Sequence, residues 1–245
     1  MRTDFRGRST LGEVFDDIWW GDKIIYINHF LIVFMKLYFK NVKIKIFLMV
    51  IFTIFVACII PTKLNINPMR KVGEVVDEVN GVKVYYNGGI GSVSGRSLTS
   101  DGYNVGIKYQ CVEFVKRYYY EHLGHRMPQS LGNAIDYFDV TVRDGGMNRA
   151  RNLIQFRNNG SEKPVVDDLV VFEPWIFNRY GHVAIVSNVT DSTVEIIQQN
   201  SGPLGRSRET YPLTSENGKW KVESYRLLGW LRIRSAKPLS LYGVE

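Results

Sequence analysis

Residues 109–123 read YQCVEFVKRYYYEHL, a stretch without glycine or proline that Gly124 closes. At helical spacing it puts Val112, Val115 and Tyr119 on one side and Glu113, Lys116, Arg117 and Tyr120 largely elsewhere, which predicts an amphipathic helix over 109–123. Beyond it the period changes. Residues 168–172 (DLVVF), 182–187 (HVAIVS), 193–200 (TVEIIQQN) and 227–233 (LLGWLRI) are β-rich runs, with turn signals at 188–192 and 201–205. A helix from the first half covering an antiparallel sheet from the second half is an α+β domain burying one core.

Outward from these elements the periodicity weakens. Residues 131–138 suggest a short second helix weakened by Gly132, and 140–160 carry no clear period. Residues 81–89 alternate like a strand ending in a turn, 88–103 are rich in glycine and serine and read as a surface loop, and structure is expected to begin near residue 71. Substrate specificity is expected in the loops 88–103 and 140–160.

The chain of 245 residues and 28.2 kDa is long enough for one sizeable domain plus an appendage, and its 45% hydrophobic and 22% charged residues exclude a disordered or fully membrane-embedded class. Two cysteines, Cys58 and Cys111, in unlike surroundings do not make a disulfide framework. The net charge of +7 is concentrated at the start: residues 1–70 hold ten Lys/Arg against five Asp/Glu, whereas 71–245 hold 21 against 19. The large domain is nearly neutral, so no nucleic acid partner is implied.

Lys36, Lys40, Lys43 and Lys45 precede an uncharged run of 15 residues, Ile46 to Ile60, with Pro61 behind it. Such a run is short for a span of ~20 residues and fits a signal-peptide hydrophobic region or a tilted anchor. Basic residues on one flank predict a cytoplasmic N-terminus and an exported domain after Thr62, in the cell envelope. Cys58 follows Phe55-Val56-Ala57, leaving a lipoprotein site, a plain signal peptide and an uncleaved anchor as alternatives. Met35 opens a more conventional export signal than Met1 does. The organisation expected is therefore a non-native or disordered extension over 1–34, a signal or anchor over 35–62, a linker over 63–70 and a catalytic domain over 71–245.

Cys111 stands at the start of its helix, where the positive end of the dipole and unpaired N–H groups favour a thiolate. Of four histidines, His29 falls on the wrong side of the membrane, and His122 and His125 are about three turns away or past the helix end. His182 remains as the general base. Gln198 or Asn200, on one face of the next strand, is placed to orient its imidazole. Gln110 with the Cys111 N–H is a candidate oxyanion hole. No metal or other cofactor is expected; the HxxH of His122 and His125 reads as a solvated helix end. Trp175, Trp220 and Trp230 are either glycan-binding rings or core.

The run YQCVEFVKRYYY at 109–120 resembles the nucleophile helix of the CHAP family, the cysteine, histidine-dependent amidohydrolases/peptidases. DLVVF, GHVAIV at 181–186 and IIQQN at 196–200 match in order. The resemblance implies a papain-like α+β fold with a nucleophile helix packed on the sheet, Cys111 as nucleophile and His182 as base. It also implies cleavage of amide bonds in peptidoglycan, as an N-acetylmuramoyl-L-alanine amidase or a peptide endopeptidase. The family's usual third residue is a glutamate where Gln198 stands, whereas Asn200 matches. The helix is also similar to the amidase half of glutathionylspermidine synthetase/amidase, a second enzyme reading. A wall-binding module weakened by Gln198 is a third. The expected partners are peptidoglycan or peptide and, through the apolar run, the membrane; a monomer is expected.

Overall fold

The computed structural model describes residues 28–33, 41–129 and 131–234, without the side chains of 58–61. The readings of 1–27, of Met35 as start and of the Cys58 side chain lie outside the described residues. The chain divides into two units, 1–57 and 58–245. In the first, the described residues include most of α1 (Val42–Lys63), a helix holding the apolar run. Among the described residues no helix is long and apolar enough to cross a membrane.

The second unit opens with residues 62–70, which are held against the domain. Thr62 O accepts the Gly91 N–H at 2.7 Å, Asn65 Oδ1 accepts the Tyr86 hydroxyl at 2.7 Å, and Asn67 Nδ2 donates to Pro203 O at 3.1 Å. A hairpin follows, β1 (Val75–Val79) and β2 (Val82–Tyr85), turning through Asn80 and Gly81, both at positive φ as a two-residue type I′ turn demands. A second ribbon pairs β3 (Arg96–Leu98) with β4 (Asn104–Ile107), so the expected 88–103 loop contains a strand. The helix α2 spans Cys111–Glu121.

The rest is an antiparallel sheet of eight strands: β5 (Gly146–Asn148), β6 (Leu153–Arg157), β7 (Leu169–Phe172), β8 (His182–Val189), β9 (Thr193–Ile197), β10 (Arg208–Glu216), β11 (Lys219–Val222) and β12 (Leu227–Arg232). Their order is β11-β10-β9-β8-β7-β12-β6-β5. The sheet curls until β11 meets the turn after β6: Trp220 N–H donates to Gly160 O and Asn159 N–H donates to Trp220 O, both at 2.8 Å. That curl explains the unbroken apolar β7. Leu169 and Val171 pack with Phe114, Val115, Tyr118 and Tyr119 of α2, while Val170 and Phe172 face a second core around Trp230 inside the curl. The α+β arrangement of the papain-like expectation is thus present.

The structure corrects one expectation and supplies three features that the sequence left open. The 131–138 segment yields only a 3₁₀ turn, Ile135–Tyr137, because Gly132 at φ +128° breaks helical geometry. The unassigned 140–160 stretch contains β5 and β6. β10 and β11 went unread because, along β10, only Leu213 is buried and Pro212 interrupts the run. The polar side of α2 is not solvated: Glu113, Lys116 and Arg117 are buried, covered by the two ribbons. Glu113 binds Arg117 Nε at 2.8 Å, Arg117 donates to Lys83 O, and Lys116 Nζ donates to Asn104 O. Burial holds the Lys116 ammonium down at a pKa of about 8.

Candidate active site

Cys111 is the first residue of α2, after Gln110 in extended conformation. It packs into the core between helix and sheet, a free thiol with only 7% of its surface exposed. Backbone N–H groups of Val183, Val112 and Cys111 itself pull its pKa down, but burial outweighs them and pushes it up to about 11. The helix start does not by itself produce the thiolate expected from sequence. Loss of hydration costs the anion more than these N–H groups return.

His182 is the first residue of β8, opposite Phe172 of β7. Its Nε2 lies 2.8 Å from Gln198 Oε1, while Gln198 Nε2 donates to Arg206 O at 3.1 Å. With the amide so oriented, its oxygen faces the ring, which assigns the proton to His182 Nε2 and leaves Nδ1 as the basic lone pair. Burial holds the imidazole pKa down at about 4; the Gln198 bond and the Glu209 carboxylate oppose this, and Arg226 reinforces it. The resting pair is accordingly neutral thiol and neutral imidazole at pH 7. No hydrogen bond joins Cys111 to His182; the sulfur lies against the N–H of Val183, the next residue along from the histidine.

The run Gln198-Gln199-Asn200 lies just past the end of β9 at Ile197, and each side chain takes a separate task. Gln198 orients His182. Gln199, which sequence reasoning passed over, holds the start of α2: its Nε2 donates to Gln110 O at 3.0 Å and to Glu113 Oε2 at 2.8 Å, and its Oε1 accepts the Tyr85 N–H at 2.7 Å. Asn200 makes no hydrogen bond to His182, although both border the same small cavity. At φ +62° it leaves the strand path, and its Nδ2 donates to Gln110 Oε1 at 2.6 Å and Ile90 O at 2.9 Å. Alternation along β9 separates Gln199 from Gln198, whereas Asn200 departs from it because the strand has already ended at Ile197.

Gln110, the oxyanion candidate, borders the same cleft as Cys111, but its Nε2 donates to Ser92 O at 2.6 Å. Serving an oxyanion requires exchanging that bond. The cleft, about 440 Å³, is bordered by Ile90, Val93, Arg96, Ile107, Leu131, Ala134 and Tyr180 among others. A smaller cavity of about 100 Å³ borders His182, Gln198, Glu209 and Arg226; Ile90, Asn178 and Asn200 border both. Glu209 was missed because β10 carries no apolar period, and Arg226 because it lies just outside the 227–233 run and no local signal brings it to His182.

The remaining candidates settle into structural places. His122 lies 3.9 Å from Asp167 and His125 Nε2 lies 2.9 Å from Arg151 O. Among the described residues no cluster of His, Cys, Asp and Glu has metal-binding geometry. Trp230 is buried core, Trp220 packs half-buried under Lys163, and Trp175 stays open to solvent.

Residues 100–200 match the family model of the CHAP domain. The chain is 33% identical over 144 residues to a glutathionylspermidine synthase of Crithidia fasciculata, covering 54% of this chain and 20% of that protein. It is 28% identical over 147 residues to a bifunctional glutathionylspermidine synthetase/amidase of Escherichia coli (strain K12), covering 56% of this chain and 23% of that protein. The chain spans about a fifth of the length of these curated relatives. Among solved structures, a wild-type endolysin, LysIME-EF1, aligns at 19% identity and TM-score 0.31 over 58% of this chain and 60% of the other.

Proposed function

We propose that the CHAP domain at residues 100–200 makes this chain a thiol-dependent hydrolase of amide C–N bonds, acting on peptidoglycan outside the membrane. The observation that carries the reading is the 2.8 Å contact of His182 with Gln198 at the mouth of the strand whose next residue, Val183, faces the Cys111 sulfur. In the proposed reaction Cys111 Sγ attacks the amide carbonyl as His182 Nδ1 removes its proton. Gln198 accepts from Nε2–H of the resulting imidazolium. The imidazolium then protonates the leaving amine, and water, deprotonated by the same nitrogen, releases the acyl group from sulfur. Because both groups rest neutral, proton transfer accompanies attack instead of preceding it.

Export is part of the proposal. Its support is the basic cluster before the apolar run and the absence of carboxylates within that run. The bond is either that between muramic acid and L-alanine or one in the peptide bridge. A second reading, hydrolysis of a glutathione–polyamine amide, is favoured by the printed names of the curated relatives.

The test is digestion of purified peptidoglycan and of glutathionylspermidine by the full chain in detergent, beside Cys111→Ala, with products identified by mass spectrometry. Release of new amino termini from the wall alone, lost in Cys111→Ala, is expected. Cleavage of the soluble conjugate alone supports the second reading. Neither product, with Cys111 inert to iodoacetamide up to pH 9, overturns the enzyme reading in favour of a binding module.

A further inference from the structure

The turn joining β7 to β8, residues 173–181, runs straight into His182. Trp175 and Asn178 close it with reciprocal backbone bonds of 3.0 and 2.9 Å. Asn178 is buried; its Nδ2 donates to Gly181 O at 2.8 Å and its Oδ1 accepts the Tyr180 N–H at 3.1 Å. Gly181 has φ +75°, and a Cβ there would sit 2.8 Å from Phe172 O. The turn is therefore built rigid.

Yet it holds its large side chains in water. Ile176 is 88% exposed, Trp175, Phe177 and Tyr180 are each about 40% exposed, and Tyr225 on the neighbouring turn before β12 is 90% exposed. Trp175 and Phe177 meet edge to face at 4.8 Å, and the Arg226 guanidinium lies over the Trp175 ring at 5.2 Å. An aromatic cluster fixed by hydrogen bonds but left uncovered marks a binding surface. It is continuous with the catalytic groups: Trp175 borders the cavity at His182 and Tyr180 borders the cleft at Cys111.

We infer that this rim, centred on Trp175, binds sugar rings of a glycan strand and so delivers the attached peptide to Cys111. The inference rests on the wall substrate proposed above. A pyranose offers a C–H face to an aromatic ring and hydroxyls around its edge; Trp175, Phe177 and Tyr225 supply the rings, and Arg226 and Glu209 supply charged partners for the hydroxyls. A lipid surface is the less suitable occupant, because a bilayer seated on Trp175 would cover the His182 cavity that the same residue borders.

The experiment uses the full chain in detergent carrying Cys111→Ala, so that binding is read without turnover, and sedimentation with glycan strands stripped of peptide. Binding is expected, weakened about tenfold or more by Trp175→Ala and largely retained by Trp175→Phe, with unchanged far-ultraviolet circular dichroism in both. Failure of the parent to bind stripped strands, or equal binding by Trp175→Ala, overturns the inference. Digestion of intact wall by the Cys111-bearing chain is scored separately. Cys111-dependent products without Trp175-dependent strand binding sink the platform and leave the activity; strand binding without such products does the reverse.

Discussion

His182 Nε2 and Gln198 Oε1 stand 2.8 Å apart, so the imidazole leans on a neutral amide and not on a carboxylate. An amide oxygen accepts the Nε2–H and fixes ring and tautomer, but adds little to stabilise imidazolium. With burial acting against the cation, the histidine pKa stays near 4.

Gln198→Glu restores a carboxylate at that contact and is expected to raise the His182 pKa from about 4 to about 6, since an opposite charge at hydrogen-bond distance shifts a titration by one to three units. Proton NMR titration of the His182 ring measures it. A His182 pKa unmoved in the variant would show that Gln198 does not govern the ring.

Alkylation of Cys111 should rise about tenfold per pH unit between pH 7 and 9, because the thiol titrates near 11 and only the thiolate reacts. A rate constant from pH 5 to 9 would instead reveal a preformed thiolate–imidazolium pair. Stability carries the matching signs. The lowered His182 pKa contributes stability above the usual histidine pKa of about 6.5 that is lost as pH falls toward 4, and the raised Cys111 pKa contributes stability lost as pH rises from about 9 toward 11.

Gln199→Met removes the three hydrogen bonds that tie the start of α2 to β2 and leaves Glu113 Oε2 without its amide partner. The expected loss is about 2–4 kcal/mol of unfolding free energy, the range for buried donors and acceptors left unpaired. Urea denaturation measures it, and a change below about 0.5 kcal/mol would contradict the anchoring role.

Arg232→Met leaves the Asp168 carboxylate, which Arg232 grips through Nε and Nη2 at 2.8 Å each, buried without a counter-charge. A loss of about 3–5 kcal/mol is expected at pH 7. Burial already raises the Asp168 pKa, so removing Arg232 raises it further. The deficit of the variant should therefore shrink as pH falls and the carboxyl protonates in the fold, a trend checked by urea titration at pH 4.5 and 7. An equal deficit at both values would mean that the carboxylate charge is not its cause.

Trp175, Trp220 and Trp230 show how far one sequence carries and where it stops. All three stand in or beside β-rich runs, and nothing in their spacing separates core from surface; the curl of the sheet buries Trp230, half-covers Trp220 and leaves Trp175 out. The positions of Cys111, His182 and Gln198 were legible because helix start, strand start and strand end are local signals, and a two-residue period puts Gln198 on the face toward His182 of the preceding strand. The α+β class followed from the same periods. Only the tertiary structure decided the charge state of the pair, since burial is a sum over all packed neighbours and no local pattern encodes it. It also decided that Gln199 anchors the helix and that Asn200 turns to Gln110, because the chain leaves β9 at Ile197 and meets partners some 90 residues earlier in the sequence. Residue types and periods specify which elements form; hydration lost and hydrogen bonds made between distant elements determine what their side chains do.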